Sequence, residues 1–351
     1  MNIVRVALAV PLPRFFDYLY SPDLTPIVGG RVLVPFGSQK RVGIVVDLPA
    51  SSDVAKEKLK PIIDVLDADS LFNSTTWDWL AWSANYYRAA LGDVLFQALP
   101  VKLRNGESAV KNDRTFWRIT DLGKQALELG ALKRAKKQIE ALNLLLMQDL
   151  EKGNNEISSA IWSALKGKDY VEEIIVPTEQ KSWQQALGDN PLVNLDNRLT
   201  LNKQQALAFS QLLFQEGFNV WLLEGVTGSG KTEIYLQYIE EVLKKGKQVL
   251  VLVPEIGLTP QTVRRFQARF NVEIDVLHSN LNDTQRLNVW DRARTGQSAI
   301  LIGTRSALFT QFSDLGLIIL DEEHDGSFKQ QDGWRYHARD LGIVLAQKLN
   351  I

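Results

Sequence analysis

The sequence predicts a multidomain α/β protein: a small β-rich N-terminal domain, a small winged-helix-like domain, and a lobe built on a parallel sheet. Three observations carry this reading. The chain has 351 residues, more than one ordinary domain needs. Its first 70 residues hold short alternating apolar runs punctuated by Gly and Pro. From about residue 199 continuous apolar runs alternate with amphipathic stretches, as in a parallel sheet covered on both faces.

The elements follow in order. Val4, Val6, Leu8 and Val10 alternate before a Pro-Leu-Pro break, and RVLVPFG (31–37) and VGIVVDL (42–48) follow, with Gly29, Gly30 and Gly37 at turns. That spacing predicts a small barrel or sandwich. A helix starting at Asn73 carries Trp77, Leu80, Trp82, Tyr86 and Tyr87, read as core packing, and ends near Gly92 or Pro100. Together these form a domain over 1–105. A polar link leads to helical patterns and the strand-like VEEIIVP, the winged-helix-like domain over 112–178, and a second polar link spans 179–198. The lobe occupies 199–351, with strands expected at 219–223, 248–254, 274–278, 298–303 and 315–320. Tyr235, Tyr238, Ile239 and Val242 mark a helix at i, i+3, i+4, i+7 spacing.

Composition narrows the function classes. With 40 basic and 41 acidic residues the net charge is −1, so the chain is no DNA-coating protein, and any nucleic-acid contact must come from local grooves. Cys is absent, which excludes disulfides and thiolate metal sites and fits a cytoplasmic protein. No apolar run approaches the roughly 20 residues a membrane span needs, and the N-terminus lacks a signal-peptide pattern.

The strongest motif is Gly225-Val226-Thr227-Gly228-Ser229-Gly230-Lys231-Thr232, between an expected strand and an expected helix. Its glycines let backbone N–H groups curl around phosphates, and the helix dipole adds to the same anion site. Lys231 is expected on the β- and γ-phosphates of ATP, and the Thr232 hydroxyl on Mg²⁺. The metal also needs an acid on a neighbouring strand. Asp321, ending the apolar run 315–320, supplies it, and Glu322 follows as the residue to activate water.

GVTGSGKTE, VPEIGLTPQ, GTRSALF and DEEHDGSFKQQDGWRYHARD occur in that order. With them the chain resembles superfamily 2 DNA helicases, and within these the DEEH-box, replication-restart family PriA. The resemblance covers residues 1–351, most strongly 199–345. It implies a RecA-like helicase lobe, ATP and Mg²⁺, and 3′→5′ DNA unwinding in replication restart at stalled forks and D-loops, where primosome assembly starts. It places Gln205 on adenine. It puts Pro254, Glu255, Thr259 and Gln261, then Gly303, Thr304, Arg305 and Ser306, on DNA phosphates. It makes Phe328, Lys329, Trp334, Arg335, Tyr336 and Arg339 an aromatic-rich loop that stacks on bases and meets phosphates. Phe16, Asp17, Tyr18, Gly37 and Lys60 match the family's pocket for a nascent 3′ end. Implied partners are forked and single-stranded DNA with a free 3′ end, primosome proteins and the single-stranded-DNA-binding protein, with no membrane, in a cytoplasmic, nucleoid-associated setting.

The family also has a second lobe with arginine fingers and a Cys-rich zinc module, neither of which is in these residues. The resemblance therefore implies an N-terminal part of a larger protein, with zinc only in the missing C-terminal part. Such a part is expected to bind DNA ends, to hydrolyse ATP slowly and not to unwind. Two other readings stay open at this point: a non-motor adaptor of the primosome that binds forks and 3′ ends, and another P-loop enzyme such as a small-molecule kinase or transporter ATPase.

Overall fold

The computed structural model describes all residues except 1, 11, 110–112, 133–134, 153–156, 178–179, 214–216 and 227. Five strands open the chain: β1 (Asn2–Leu8), β2 (Phe16–Tyr20), β3 (Arg31–Phe36), β4 (Gln39–Asp47) and β5 (Asp64–Val65). They form one antiparallel sheet in the order β2-β1-β4-β3-β5. The chain just before β5 closes it into a barrel, because the Leu19 N–H donates to Lys60 O and the Ile62 N–H to Leu19 O, at 2.9 and 2.8 Å. Val4, Val6, Leu8, Val32, Val34 and Val45 fill the interior, as the alternating pattern dictates.

Three helices follow: α1 (Ser74–Tyr86), α2 (Leu91–Gln97) and α3 (Val101–Arg104). Asn73 caps α1, its side chain accepting from the Thr76 N–H. A buried ion pair ties these helices to the barrel. Arg31, fully buried, donates from its Nε and Nη2 to Asp67, both at 2.8 Å, and from its Nη1 to Leu103 O and Glu107 O at 2.5 and 2.8 Å. All sides of the guanidinium fork are matched, which is what a buried charge requires.

Residues 110–180 form a compact unit of their own. It contains β6 (Asp113–Ile119), α4 (Asp121–Glu128), α5 (Lys136–Met147), β7 (Leu150–Glu151), α6 (Ser159–Lys166) and β8 (Val171–Pro177), with the sheet in the order β7-β6-β8. Trp117 and Trp162 stack at its centre, ring centroids 5.3 Å apart.

The rest of the chain belongs to the same compact unit as the barrel. Its elements are α7 (Trp183–Leu187), α8 (Lys203–Leu213), α9 (Lys231–Lys244), β9 (Gln248–Leu252), α10 (Pro260–Arg269), β10 (Ile274–Leu277), α11 (Asp283–Arg294), β11 (Ile300–Gly303), β12 (Leu315–Leu320) and α12 (Ala338–Leu349). The four strands are parallel in the order β10-β11-β9-β12. Side chains alternate between two cores. Val249, Val251, Ile300 and Ile302 pack with α9 and α10, while Leu250, Leu252 and Leu301 pack with α11, α12 and α1. Helix α1 therefore shares the lobe's own core: Trp79 lies against Phe309, centroids 5.6 Å apart, and its indole N–H donates to Leu341 O at 3.0 Å.

One expected strand is not formed. Residues 219–223 are not part of a strand, and Val220, Trp221 and Leu222 are exposed. A continuous apolar run makes an inner strand only when a neighbour completes its ladder. Among the described residues β12 is the sheet's edge, bonded to β9 alone. Along its free side runs a groove of about 420 Å³, lined by Gly217, Tyr238, Val242, Gly316, Leu345 and Leu349. Just before the run, the Phe218 N–H donates to Asn350 Oδ1 at 3.1 Å.

Removing one half of a buried, fully bonded pair costs about 3–5 kcal/mol. Arg31→Met is therefore expected to lower the urea midpoint sharply, and Arg31→Lys to rescue little, since an ammonium cannot reach Asp67 and both carbonyls together. Equilibrium unfolding of the two variants measures this.

Candidate nucleotide site and nucleic-acid interface

The barrel gathers all five sequence-predicted end-pocket residues. Phe16, Asp17, Tyr18, Gly37 and Lys60 line one groove of about 510 Å³, together with Arg5, Arg14 and Phe36. Register explains the meeting. Asp17 lies opposite Arg5 in the β1–β2 ladder, and Gly37 sits in the β3–β4 turn with φ +59°, where a Cβ would be strained although the space is open. Phe16 and Phe36 meet edge to face at 5.2 Å, with Arg14 at 5.0 Å from the first ring and Arg41 at 5.5 Å from the second.

Asp17 is held from two sides. Arg5 Nε and Nη2 donate to its Oδ1 and Oδ2 at 2.8 and 3.1 Å, and the Ser52 hydroxyl donates to Oδ2 at 2.6 Å. The Arg5 hydrogen bond, with help from Ser52, holds this carboxyl below its usual range. A carboxylate accepts about four hydrogen bonds, so one acceptor position on Oδ1 stays open to a ligand hydroxyl. Tyr18 is buried, its hydroxyl donating to Pro35 O at 3.2 Å, so it forms a wall rather than an open stacking face. The sequence showed neither Arg5 nor Ser52 as part of this site; both come to it through pairing and a loop crossing 35 residues away.

In the lobe, β9 positions the neighbouring strand ends on one edge of the sheet. The Asp321 N–H donates to Leu252 O, and the Val253 N–H to Gly303 O, each at 2.9 Å. Gly228 and Gly230 take left-handed backbone angles, φ +80° and +83°, and Gly230 caps α9. Thr227 lies outside the described residues. Gln205 donates from Nε2 to Ser229 O at 2.8 Å, so it braces the loop directly. Lys231 folds back on that loop, its Nζ 2.5 Å from Gly225 O, and Val226 is exposed.

Tyr235, one turn along α9, is the residue here that sequence reasoning missed. It shares its helix with Thr232, and its hydroxyl donates to Asp321 Oδ2 at 3.1 Å. Burial, then the Asp321 charge, pushes its phenol well above the usual range. Thr232 and Asp321, the two expected metal ligands, offer the oxygen donors that suit a hard cation such as Mg²⁺. Glu322 follows in a left-handed conformation, φ +49°, exposed and 3.8 Å from His324 Nε2.

The aromatic-rich loop differs from expectation. Phe328, Trp334 and Tyr336 are buried, and Trp334 and Tyr336 pack on Phe309 at 5.1 and 5.0 Å. Their faces are covered, because the loop returns over the apolar ground between α1, α12 and the turn at 305–309. Burial pushes the Tyr336 phenol up to about 12. Arg305 anchors the loop, donating to Ser327 O and Lys329 O at 2.9 and 2.7 Å, rather than standing free for a phosphate. Lys329 donates to Arg335 O at 2.7 Å, Arg339 pairs with Glu323 at 2.7 Å, and Arg335 is exposed. Thr304 and Ser306 flank Arg305 at the end of β11, and Thr259 caps α10.

Residues 5–100 match the 3′ DNA-binding domain (3′BD) family of PriA, and residues 202–349 match the DEAD/DEAH box helicase family. The second match implies use of a nucleotide with Mg²⁺. The replication restart protein PriA of Haemophilus influenzae is 76% identical over 351 residues, covering 100% of this chain and 48% of that protein. The proteins of the same name in Synechocystis and Bacillus subtilis are 34% and 29% identical, over 97% and 99% of this chain and 50% and 52% of theirs. The chain thus spans about half the length of the curated relatives it matches. Over that span, the chain belongs to the PriA family of replication restart proteins.

Proposed function

We propose that this chain captures the free 3′ end of a DNA strand in the barrel groove, and that its parallel-sheet lobe is part of an ATP-driven 3′→5′ helicase. The setting is replication restart: recognition of stalled forks and D-loops, then primosome assembly, with primosome proteins and the single-stranded-DNA-binding protein as partners. One observation carries the end-capture reading. Asp17 is fixed in orientation by Arg5 and Ser52, with an acceptor position left over, beside the Phe16 ring and Lys60. A terminal 3′-hydroxyl is a donor that an extended strand lacks. An aromatic face suits any terminal base, and a lysine suits the adjoining phosphate.

The nucleotide reading rests on Lys231, Thr232, Asp321 and Glu322 at one edge of the sheet, with Gln205 against the loop. Thr232 and Asp321 would hold Mg²⁺, which neutralises phosphate charge when bound with ATP. Lys231 must leave Gly225 O to meet a phosphate, and Tyr235 must release Asp321. The run at 219–223, with Val220, Trp221 and Leu222 exposed, is not a strand, so the loop has none directly before it. These features favour weak nucleotide binding and slow turnover by this chain. End capture as an adaptor function therefore stands without the motor.

Four outcomes are expected. Fork DNA ending in a 3′-hydroxyl binds more tightly than its 3′-phosphorylated twin, and Asp17→Ala abolishes that difference; equal binding of both DNAs by the wild type defeats the reading. Because the Asp17 carboxyl titrates low, its charge persists above the ordinary carboxylate range and is lost only as pH falls through its depressed value. End discrimination should therefore stay flat down to about pH 5, and Arg5→Met should move its acid loss upward, read from binding curves across pH. Tyr235→Phe removes a bond to a charged group that the cation must displace, and is expected to tighten Mg²⁺–nucleotide binding about fivefold, equivalent to about 1 kcal/mol. Steady-state turnover of the wild-type chain should stay far below one per second with DNA present.

A further inference from the structure

We propose that the aromatic cluster at the C-terminal end of α1, the exposed Tyr86 with the half-buried Trp82 and Tyr87 beside it, forms a base-stacking platform for single-stranded DNA, with Arg88, Lys329 and Arg335 as its phosphate contacts. The proposal rests on the DNA-binding reading above but uses a surface apart from the 3′-end groove, none of whose lining residues it shares.

Helix α1 has two unlike faces. Trp79, Leu80, Ser83 and Ala84 are buried in the lobe's core. Trp82 and Tyr86, one turn apart, stack on each other, centroids 4.9 Å apart and planes 17° from parallel, with Trp82 half-buried against that core. Tyr86 is 62% exposed, and Tyr87 meets it edge to face at 4.9 Å. A lone exposed aromatic is ordinary. An exposed ring braced by a stacked partner and by a second ring edge-on is held in place as a surface of base size.

Cations stand beside these rings and are held there. Lys329 Nζ lies 5.6 Å from the Tyr87 ring centre while donating to Arg335 O, and the His337 N–H donates to the Tyr87 hydroxyl at 3.3 Å. Lys329 and His337 also form a β-bridge, and Arg305 grips the carbonyl of Lys329, so the loop is preorganised against α1. Arg335 is exposed with no ion pair among the described residues, and Arg88, directly after Tyr87, has only Asn85 Oδ1 at 3.5 Å. Between Lys329 and Tyr336 the sequence offers one acid, Asp332. The buried rings Trp334 and Tyr336 are then the floor that supports the cationic loop, while the stacking faces come from α1. Amphipathic rings interleaved with cations favour an anionic, planar-faced ligand over an apolar protein segment, and stacking on rings is tolerant of base identity.

The test uses the 351-residue chain and oligothymidylate carrying a 3′-phosphate, which closes off the end groove, followed by fluorescence anisotropy. Stacking of about 1–3 kcal/mol per base predicts that Tyr86→Ala weakens binding roughly 5- to 100-fold. Tyr86→Phe should stay within about twofold. The Tyr86→Ala loss should vanish on an abasic oligonucleotide of equal length. Thermal melting checks that Tyr86→Ala stays folded, and Trp82→Phe provides a second, milder variant. Unchanged affinity for a folded Tyr86→Ala, or an equal loss on abasic DNA, overturns the platform. So does a loss confined to DNA with a free 3′-hydroxyl. An Asp17→Ala chain that loses end discrimination yet keeps its dependence on Tyr86 separates this proposal from the end-capture reading.

Discussion

Strand β9 is the constraint on which the lobe depends. Each of its residues is buried, it has parallel neighbours on both sides, and it feeds both cores: Val249 and Val251 one way, Leu250 and Leu252 the other. Its carboxyl end carries the chemistry. Leu252 O fixes the backbone of Asp321, and the Val253 N–H fixes Gly303, the residue before Thr304 and Arg305. A polar or β-incompatible residue in β9 would therefore disturb the two cores and three ligand-facing strand ends together. This is the general logic of open α/β sheets, in which side chains at strand ends inherit their positions from the ladder beneath them.

Much of this was legible in the sequence because it depends on local pattern. Alternation in Val4, Val6 and Leu8 requires one buried face, and the barrel follows. The strands at 248–252, 274–277, 300–303 and 315–320 lie where their apolar runs place them. The run at 219–223 has the same pattern but is no strand, since a strand's existence is a property of its neighbours and not of its own side chains. Likewise Arg5, Ser52 and Tyr235 were invisible as site residues. Each acquires its role from a partner at a distance in the chain, Asp17 or Asp321, that composition cannot reveal.

The aromatics show the same limit more sharply. Trp334 and Tyr336 sit in a polar loop, which suggests exposure, whereas Tyr86 sits in an apolar helix, which suggests burial. The structure reverses both assignments. A loop that returns across an open apolar surface buries its rings because that surface would otherwise face water, at about 25 cal/mol for each Å². Helix α1 has more aromatic residues than the core can bury fully: Trp79 fills the space beside Phe309, Trp77 and Trp82 pack half-buried at its border, and Tyr86 turns outward. Ring position therefore follows from the supply of apolar surface around each segment, which periodicity does not report.

The two ligand sites differ in how nearly they are made. In the barrel, the hydrogen bonds that orient Asp17 leave the acceptor that a hydroxyl would use, so binding needs little rearrangement. At the nucleotide loop, the groups that would meet phosphate and metal satisfy one another instead: Lys231 with Gly225 O, and Asp321 with Tyr235. Each such contact is a competitor that a nucleotide must displace before it gains anything. On the function proposed above, such an arrangement favours engaging a DNA end first, with nucleotide following once further contacts draw Lys231 and Asp321 away from Gly225 and Tyr235.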